Sequence, residues 1–571
     1  MKKTSYKICS AVLAVCILFA AALPAGLAGN GGFPALSAHA AEVVKSGSFM
    51  SSTIDWTLYS DGTLSFSGSG TWPSNYARLF RSDTSIKRIE FGGVHNIVPY
   101  AFQNCTSLTS VSFGRAMTSI EKHAFEGCTS LKSVSIPETV TSVGEYAFYG
   151  CTALTEAKLP SGLQTLENGM FYNCASLVSV QLPDHIWGIG DHAFDGCTAL
   201  KSITLPEVLV LGEMAFYRCA SLSSIRIPGD VQDIGSGVFA ECRSLASVTI
   251  GNGVKSIGNK MFTSCTALTS ISIPGSVTSI GEDAFGSCSS LASINVPGSV
   301  TGIGARAFLN CTKLASIRIP ESVKSIGDML FYGCSSLSSV TLPGNITGIG
   351  QEMFHLCSAL TSFTVPNKVK SIGAFAFSDC TALKTVTIPL SVTGVGDSAF
   401  SGCKALTDVN YAGYAAQWEE IGIGKKNEPL LNAALHCKEM PVVDEVWEND
   451  GCIYLRADNV VTAVLAFAGE GAGLTKPDGA QPTAFEKVGS GTTLTKADGT
   501  ALTVIVKGDA DGDGSITAAD ARFALRTAVS LESPNAWQIN ACLVESEETV
   551  TAADARTILR AAVGLETLKL H

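Results

Sequence analysis

Residues 128–150 read "CTSLKSVSIPETVTSVGEYAFYG", and variants of this unit recur through the middle of the chain. The spacing is constant from copy to copy, except between Cys197 and Cys219, where one position is missing; we call this the short copy. A fixed period in the twenties is typical of a solenoid, in which successive coils of chain stack on one another. Every copy is marked by a cysteine. These cysteines are Cys105, Cys128, Cys151, Cys174, Cys197, Cys219, Cys242, Cys265, Cys288, Cys311, Cys334, Cys357, Cys380 and Cys403.

The apolar positions of the unit predict a short strand, a return path and a helical turn. Val134 and Ile136 alternate as in a strand, and Pro137 ends its ladder because proline has no N–H to donate. About seven or eight side chains of each unit point inward, too few for one unit to fold alone, so stacked neighbours must complete the core. The inward positions are Leu131, Val134, Ile136, Val140, Val143, Ala147, Phe148 and Cys151.

The recurring cysteines are expected to be free thiols. Equivalent atoms in stacked coils lie about 4.8 Å apart, whereas the Cβ atoms of a disulfide lie about 3.8 Å apart. No histidine recurs beside them, which argues against a metal role. The sequence therefore predicts a buried column of thiols that act as small apolar side chains.

The repeat resembles the bacterial leucine-rich repeats of the same period that are often called BspA-like, over about residues 86–409. The resemblance implies a mainly β fold, a curved leucine-rich-repeat solenoid of about 14 repeats with β caps, in a secreted, non-enzymatic protein used for adhesion. Residues 53–70 resemble an N-terminal cap and predict two strands around an Asp-Gly turn. Residues 411–437 resemble a C-terminal cap, in which Trp418 and Ile421 cover the end of the core.

The N-terminus predicts export. Lys2, Lys3 and Lys7 precede an apolar run over residues 8–23, and Ala38-His39-Ala40 (residues 38–40) offers a cleavage site. An uncleaved anchor is one alternative and cleavage nearer Ala28 is another, and no later stretch is apolar enough for a membrane span. The net charge of −11, without a cluster of Lys and Arg, argues against a nucleic-acid partner.

The outward strand positions are mostly Ser and Thr, so the exceptions are candidates for a ligand face. Trp187 lies next to the short copy and is a further candidate contact. Alternatively, the polar face serves only solubility and strand formation. For Trp187, the alternative is a local irregularity of packing with no binding role. No zinc-protease, serine-hydrolase or phosphate-loop motif is present. The candidate ligand face comprises Lys158, Gln181, Trp187, Arg226 and Arg318.

The stretch "KGDADGDGSITAADAR", residues 507–522, predicts a calcium loop. Carboxylates alternate at the first positions, Gly514 permits the sharp turn, and Asp520 falls at position 12, as in an EF-hand. Ser515 would offer its carbonyl and Thr517 would act through water. A solvated acidic loop is the alternative. The predicted Ca2+ ligands are Asp509, Asp511, Asp513, Ser515, Thr517 and Asp520.

The C-terminal tail is duplicated, since residues 517–532 and 551–566 agree at twelve of sixteen positions. It resembles a type I dockerin, which implies binding to a cohesin domain of a scaffolding protein in a cellulosome-type assembly. The second loop departs from the family, with Leu543 at position 1 and Glu548 where glycine belongs, so one strong site and one degenerate site are expected. The implied cohesin contacts are Ala518, Ala519, Leu525, Arg526, Ala552, Ala553, Leu559 and Arg560.

These expectations divide the chain into six parts: a signal peptide (1–40), an N-terminal β cap (41–94), the solenoid (95–408), a C-terminal cap (409–437), a small β-module acting as a spacer (438–507) and the α-helical, EF-hand-like dockerin (508–571). The hypothesis is a non-catalytic binding or adhesion protein, extracellular or at the cell surface through its scaffold, with an unknown protein or glycan ligand. One alternative is an accessory or weakly hydrolytic subunit of a polysaccharide-degrading complex, and another is a purely structural spacer.

Overall fold

The computed structural model describes residues 41–50, 52–438, 447–449, 452–455, 472–476, 478–482, 489–496 and 500–506, together with positions 509, 513, 515, 520, 538, 541, 550, 554–555 and 557–558. The predicted signal peptide lies outside the described residues. Within the described part, no helix is both long enough and apolar enough to cross a bilayer.

The chain opens with a cap of three antiparallel strands, Val43–Ser48, Asp55–Tyr59 and Thr63–Gly70. The last two form the predicted hairpin, and Gly62 at its turn has a φ of 85°, which glycine tolerates without strain. A 3-10 turn follows at Ser74–Tyr76. Because Thr63–Gly70 also pairs in parallel with Arg88–Val94, the cap continues directly into the repeat array.

The coils of the array contribute one strand to a first sheet and a two-residue strand to a second sheet, except that residues 202–205 form no first-sheet strand. About sixteen coils stack, two more than the sequence predicted, because strands in both flanks extend the parallel ladders. The strands of the first sheet are Arg88–Val94, Ser110–Ser112, Ser133–Ser135, Glu156–Lys158, Ser179–Gln181, Ser224–Ile227, Ser247–Ile250, Ser270–Ser272, Ser293–Asn295, Ser316–Arg318, Ser339–Thr341, Ser362–Thr364, Thr385–Ile388, Asp408–Tyr414 and Ala434–Lys438.

The second sheet follows the return path of each coil. Its register is in phase with the repeat, so that Ser256, Ser279 and Gly302 lie side by side. Its strands are Asn96–Ile97, Ser119–Ile120, Ser142–Val143, Thr165–Leu166, Gly188–Ile189, Val210–Leu211, Asp233–Ile234, Ser256–Ile257, Ser279–Ile280, Gly302–Ile303, Ser325–Ile326, Gly348–Ile349, Ser371–Ile372, Gly394–Val395 and Gly422–Ile423.

The core lies between the two sheets and confirms the predicted inward positions. All eight of the side chains named for the unit that begins at Cys128 are at most 3% exposed. The phenylalanines of successive coils stack ring on ring, with centroids 5.5 Å apart for Phe125 and Phe148 and 5.7 Å apart for Phe285 and Phe308. The array therefore has one continuous aromatic column along its length.

The fourteen cysteines are free and buried, as predicted. Each thiol also donates a hydrogen bond to the backbone carbonyl of a phenylalanine in the preceding coil; the Sγ of Cys151, for example, lies 3.2 Å from the oxygen of Phe125. The Cys403 Sγ makes the same contact with Phe377 at 3.0 Å. The thiol thus fills space and also satisfies a carbonyl that the core hides from water.

The segment predicted as a helical turn is a series of hydrogen-bonded turns. The Ala147 N–H donates to Gly144 and the Cys151 N–H to Phe148, each three residues back. Between them Tyr146 adopts a φ of 55°, in the left-handed region. This ridge of turns, between the two sheets, returns the chain to the next first-sheet strand.

The C-terminal end of the array is closed by two short helices, Ala415–Glu419 and Glu428–Asn432. Ile421 is 7% exposed and Trp418 packs against the core, as the cap prediction requires. The Trp418 ring meets Tyr411 edge to face at 5.4 Å. The Ala434–Lys438 strand then completes the first sheet.

The described part of the spacer contains a five-stranded sheet. Its strands lie in the order Trp447–Asn449, Cys452–Leu455, Ala501–Val506, Thr493–Thr495 and Gly473–Thr475. Leu494 pairs with Leu502 in the antiparallel sense, so Thr493–Thr495 and Ala501–Val506 form a hairpin. The spacer therefore has a small core of its own, which includes the buried Leu474, Leu494 and Leu502.

Candidate functional site

The short copy forms a coil, the short coil, that lacks one position in the turn after its first-sheet segment. In a regular coil, Val140 lies three residues after Pro137 and its N–H donates to the Pro137 carbonyl at 3.0 Å. In the short coil, Val208 lies only two residues after Pro206 and bonds to it at 2.8 Å. The turn is tighter, and the segment that precedes it does not form a strand.

Residues 202–205 form no strand, so the first sheet is broken here. Its strand pairing also lapses between Ser110–Ser112 and Ser133–Ser135, between Ser293–Asn295 and Ser316–Arg318, and between Ser339–Thr341 and Ser362–Thr364, although all of these segments are strands. Within the continuously described stretch 52–438, this is the one coil whose first-sheet segment is not a strand. The ladder holds as far as Lys201, whose N–H donates to Val178 at 3.2 Å. Beyond that point, residues 202–205 make no backbone hydrogen bond to any described residue. A peptide edge is thus left open in the middle of the sheet.

A groove of about 580 Å³ lies over this break. We refer to it as the break groove. It spans three coils, so that it combines side chains from two regular strands with the open edge of residues 202–205. Its walls are formed by Glu156, Ala157, Lys158, Ser179, Val180, Gln181, Leu182, Asp184, Ser202, Ile203, Thr204 and Pro206.

The break groove is polar and carries charges of both signs. Glu156 and Lys158 occupy one strand, and Gln181 lies beside Lys158 in the next strand. The side chains of Glu156, Gln181 and Asp184 make no hydrogen bond or ion pair with another described residue, so their donors and acceptors are available to a ligand. Without an aromatic wall, the groove suits a ligand held by hydrogen bonds rather than by stacking.

The structure brings together two of the five predicted ligand-face residues. Lys158 and Gln181 are direct neighbours in register. Arg226 is exposed on the first strand beyond the break, two coils from Gln181. Arg318 is exposed a further four coils along. Trp187 projects from the second sheet, away from the break groove, and is 64% exposed.

The ridge of turns beside the short coil holds a buried carboxylate that sequence reasoning did not single out. Asp195 is 1% exposed, and its Oδ2 lies 2.9 Å from the Nδ1 of His192. Arg218 is 3.5 Å from the other oxygen. Burial raises the pKa of Asp195, while His192 and Arg218 act in the opposite direction. Because the carboxyl is enclosed, it cannot touch a polymer substrate and is a structural group.

Four of the six predicted calcium ligands belong to the described residues. Asp509 and Asp520, the first and last positions of the predicted loop, are both fully buried. The Asp509 Oδ2 accepts a hydrogen bond from the Ser490 N–H at 2.8 Å, and the Asp513 Oδ1 accepts one from the Ser515 N–H at 2.8 Å. The described residues contain no group of three His, Cys, Asp or Glu side chains able to hold a metal.

The remaining tail predictions fall outside the described residues. These are Asp511 and Thr517 of the loop and all of the predicted cohesin contacts. Asp554, the last position of the second loop, is described and its side chain is fully buried.

Several solved structures are similar to this chain. A leucine-rich repeat protein from Bacteroides ovatus is 29% identical, with 54% of this chain and 92% of that chain covered and a TM-score of 0.41. A leucine rich cell surface protein from Faecalibacterium prausnitzii is 26% identical, with coverage of 66% and 97% and a TM-score of 0.35. A T. pallidum leucine rich repeat protein is 33% identical, with coverage of 30% and 78% and a TM-score of 0.26.

No curated protein matches the chain. The family model described as "BspA type Leucine rich repeat region (6 copies)" matches at residues 76–201, 164–292 and 278–407. These ranges alone span residues 76–407, more than half of the 571 residues. The chain therefore belongs to the BspA type leucine-rich repeat family.

Proposed function

We propose that this protein is a secreted, non-catalytic binding protein. Its array holds a protein or glycan ligand in the break groove, and its C-terminal tail attaches it to a cohesin-bearing scaffold in a calcium-dependent manner, so that it acts outside the cell or at the cell surface. Membership of a leucine-rich repeat family supports the binding role, because such arrays present extended surfaces.

The observation that carries the proposal is the break groove itself. The regular coils present flat strands with mostly small hydroxyl side chains, which offer a ligand few directed contacts. At the break, carboxylate, ammonium and amide side chains converge on an open peptide edge. That combination gives a ligand several directed hydrogen bonds at one place, which is what a specific binding site requires.

Substitution of the groove should remove ligand binding while leaving the array folded. In Glu156→Ser with Gln181→Ser, both positions take the serine that other coils carry there, so the strands keep their packing. We expect capture of the natural ligand, selected from arrayed plant polysaccharides and glycoproteins, to weaken at least about tenfold, since two hydrogen-bonding groups of the site are lost.

Arg318→Thr is the matched control, because it removes a charged side chain from the same sheet far from the groove. Binding by this variant should equal that of the unmodified protein. If Arg318→Thr weakens binding as much as the groove variant does, the ligand contacts the sheet at large and the groove is not the site.

The residues of the first tail loop fit a calcium ion. Its donors are all oxygens, as calcium prefers, and the carboxylates at both ends of the loop are buried. A bound cation would neutralise these carboxylates, which otherwise repel one another across the loop, and would thereby order the helices that the sequence predicts after it. The second loop lacks this donor set, because Leu543 has no side-chain oxygen.

Asp509→Ala with Asp520→Ala in the full chain is expected to abolish calcium-dependent capture by immobilised type I cohesins. Calorimetry should show about one calcium bound per unmodified chain and none in the variant, because the two ends of the loop are lost. Glu547→Ala, in the degenerate second loop, serves as the control and should keep both properties. Cohesin capture that persists in chelator contradicts this attachment mode.

The hydrolytic alternative makes a different prediction from the same incubation. A hydrolytic subunit releases reducing sugar from plant polysaccharides, whereas a binding protein retains them unchanged. The one described carboxyl group with a raised pKa in the irregular region, Asp195, is enclosed by the ridge and out of reach of a substrate. The structural-spacer alternative predicts neither release nor retention.

A further inference from the structure

The short coil also exposes an apolar patch on the second sheet. Trp187 is 64% exposed, and Leu209 and Val210 are each 41% exposed. The Leu209 N–H donates to the Trp187 carbonyl at 2.8 Å, and Val210 lies beside Gly188 in register. These three side chains therefore form one continuous surface, which we call the Trp187 patch.

The patch departs from a column that is otherwise polar. The rungs on either side of Trp187 and Leu209 are Gln164 and Gln232, each joined to the patch by a backbone hydrogen bond. Further rungs carry histidine, threonine or lysine, and the column of Val210 carries asparagine, serine, threonine, glycine or aspartate. Solvent-facing tryptophan and leucine side by side are costly to hydrate, and such clusters mark binding surfaces.

Carboxylates surround the patch. Asp184, Glu207 and Asp230 occupy equivalent turns of three consecutive coils, and Asp233 lies next to Val210 in register. All four are exposed, and none forms a hydrogen bond or ion pair through its side chain with another described residue. The nearest lysine in the column is Lys255, two rungs beyond Leu209. The rim is therefore anionic, and within the described part of the chain its four carboxylates form no ion pair with lysine or arginine.

We propose that the Trp187 patch is a docking site for a basic polypeptide segment that carries an apolar anchor residue. The anchor would cover Trp187 and Leu209, and lysine or arginine side chains on either side of it would face the carboxylates of the rim. A central aromatic contact with charge complementarity around it is the usual arrangement of a protein-binding hot spot.

The same charges exclude other partners for this surface. An anionic membrane or a nucleic acid would be repelled by the rim. A neutral glycan could stack on Trp187 but would gain nothing from four carboxylates. The Trp187 patch lies on the second sheet and shares only Asp184 of its rim with the walls of the break groove. The proposal for the patch therefore does not depend on the function proposed for that groove.

The test uses the full chain and a fluorescein-labelled synthetic peptide of about twelve residues that alternates lysine and leucine. The patch variant is Trp187→Thr with Leu209→Thr and Val210→Ser, which installs residues that other coils carry at these positions and leaves the net charge unchanged. Fluorescence anisotropy should show binding to the patch variant at least about tenfold weaker than to the unmodified chain.

The rim is tested separately by Glu207→Gln with Asp230→Asn and Asp233→Asn. We expect about threefold to tenfold weaker binding at low salt and a smaller dependence on salt concentration. Thr278→Ser with Thr301→Ser, in the same column on regular coils, is the control and should bind as the unmodified chain does.

Equal binding by the patch variant and the unmodified chain overturns the proposal, since attraction to an acidic protein would then explain the signal. A peptide with serine in place of leucine that binds as well as the original peptide overturns the requirement for an apolar anchor. A peptide with glutamate in place of lysine that binds as well as the original overturns the requirement for positive charge.

Discussion

Raising the pH from 8 to 10 is expected to unfold the repeat array. Burial raises the pKa of Cys242, Cys288 and Cys334 to about 12, from an ordinary value of 9.0, and the other thiols of the column are shifted in the same direction. Well below pH 9, nearly all of the thiols are protonated in both the folded and the unfolded chain. Above pH 9 the unfolded chain releases these protons and the folded chain retains them, so the free energy of unfolding falls as the pH rises.

The expected effect is large because the group is repeated fourteen times. At pH 10 each thiolate of the unfolded chain contributes about 1.4 kcal/mol, or about 20 kcal/mol for the column. At roughly 0.05–0.15 kcal/mol per residue, a folded array of this length is stable by a comparable amount, so the loss can offset its whole stability. Circular dichroism during a pH titration, recorded with thiolate absorbance, should show loss of sheet structure and appearance of thiolate together.

A variant with Cys242→Ala, Cys265→Ala and Cys288→Ala tests the cause independently of its baseline stability. Above pH 9, the slope of the unfolding free energy against pH measures the number of protons that are released on unfolding. This number should be smaller by about three in the variant than in the unmodified chain. Thiolate absorbance that develops while the circular dichroism stays native would show that the column ionises in place, contrary to its burial.

Phe285→Ala is expected to destabilise the array by about 3–5 kcal/mol. The Phe285 ring is fully buried and stacks on Phe262 at 5.6 Å and on Phe308 at 5.7 Å. Truncation opens a cavity at the centre of three coils and removes both stacking contacts. Since each coil is stable only through its neighbours, the loss should appear in the unfolding of the array and not as a local change.

Urea unfolding followed by circular dichroism measures this effect. Ser270→Ala, on an exposed strand position, is the control and should change stability by less than about 0.5 kcal/mol. Phe285→Leu, which keeps much of the volume, should fall between the two. If Phe285→Ala and Ser270→Ala have equal midpoints, the aromatic column does not hold the coils together.

Much of the fold follows from the period alone. A repeat of fixed length puts equivalent residues on adjacent rungs, so the inward positions, the stacking and the unpaired thiols could be predicted from one unit. The hydrogen bond from the Cys151 Sγ to the Phe125 carbonyl could not be predicted, because it depends on the position of one coil relative to the next. The left-handed position at Tyr146 was equally hidden, since other coils carry histidine, methionine or arginine there.

The site was only partly predictable. Lys158 and Gln181 were identifiable because they interrupt a run of serine and threonine, and the structure pairs them. The length of the short copy marked the right coil, but the sequence does not say that, with a residue lost after Pro206, the segment before it forms no strand. Asp184 and Ser202 became groove residues only at that break.

The break in the first sheet also has a mechanical consequence. At residues 202–205 the cross-coil backbone bonds of one face are missing, while the second sheet runs on without interruption from Gly188 to Val210 and Asp233. Coils that are joined by backbone hydrogen bonds on both faces of the rod resist bending. At residues 202–205 such bonds join the coils only on the face of the second sheet. Bending that parts the coils on the first-sheet side therefore breaks no backbone hydrogen bond at residues 202–205, and such bending would change the width of the groove above them.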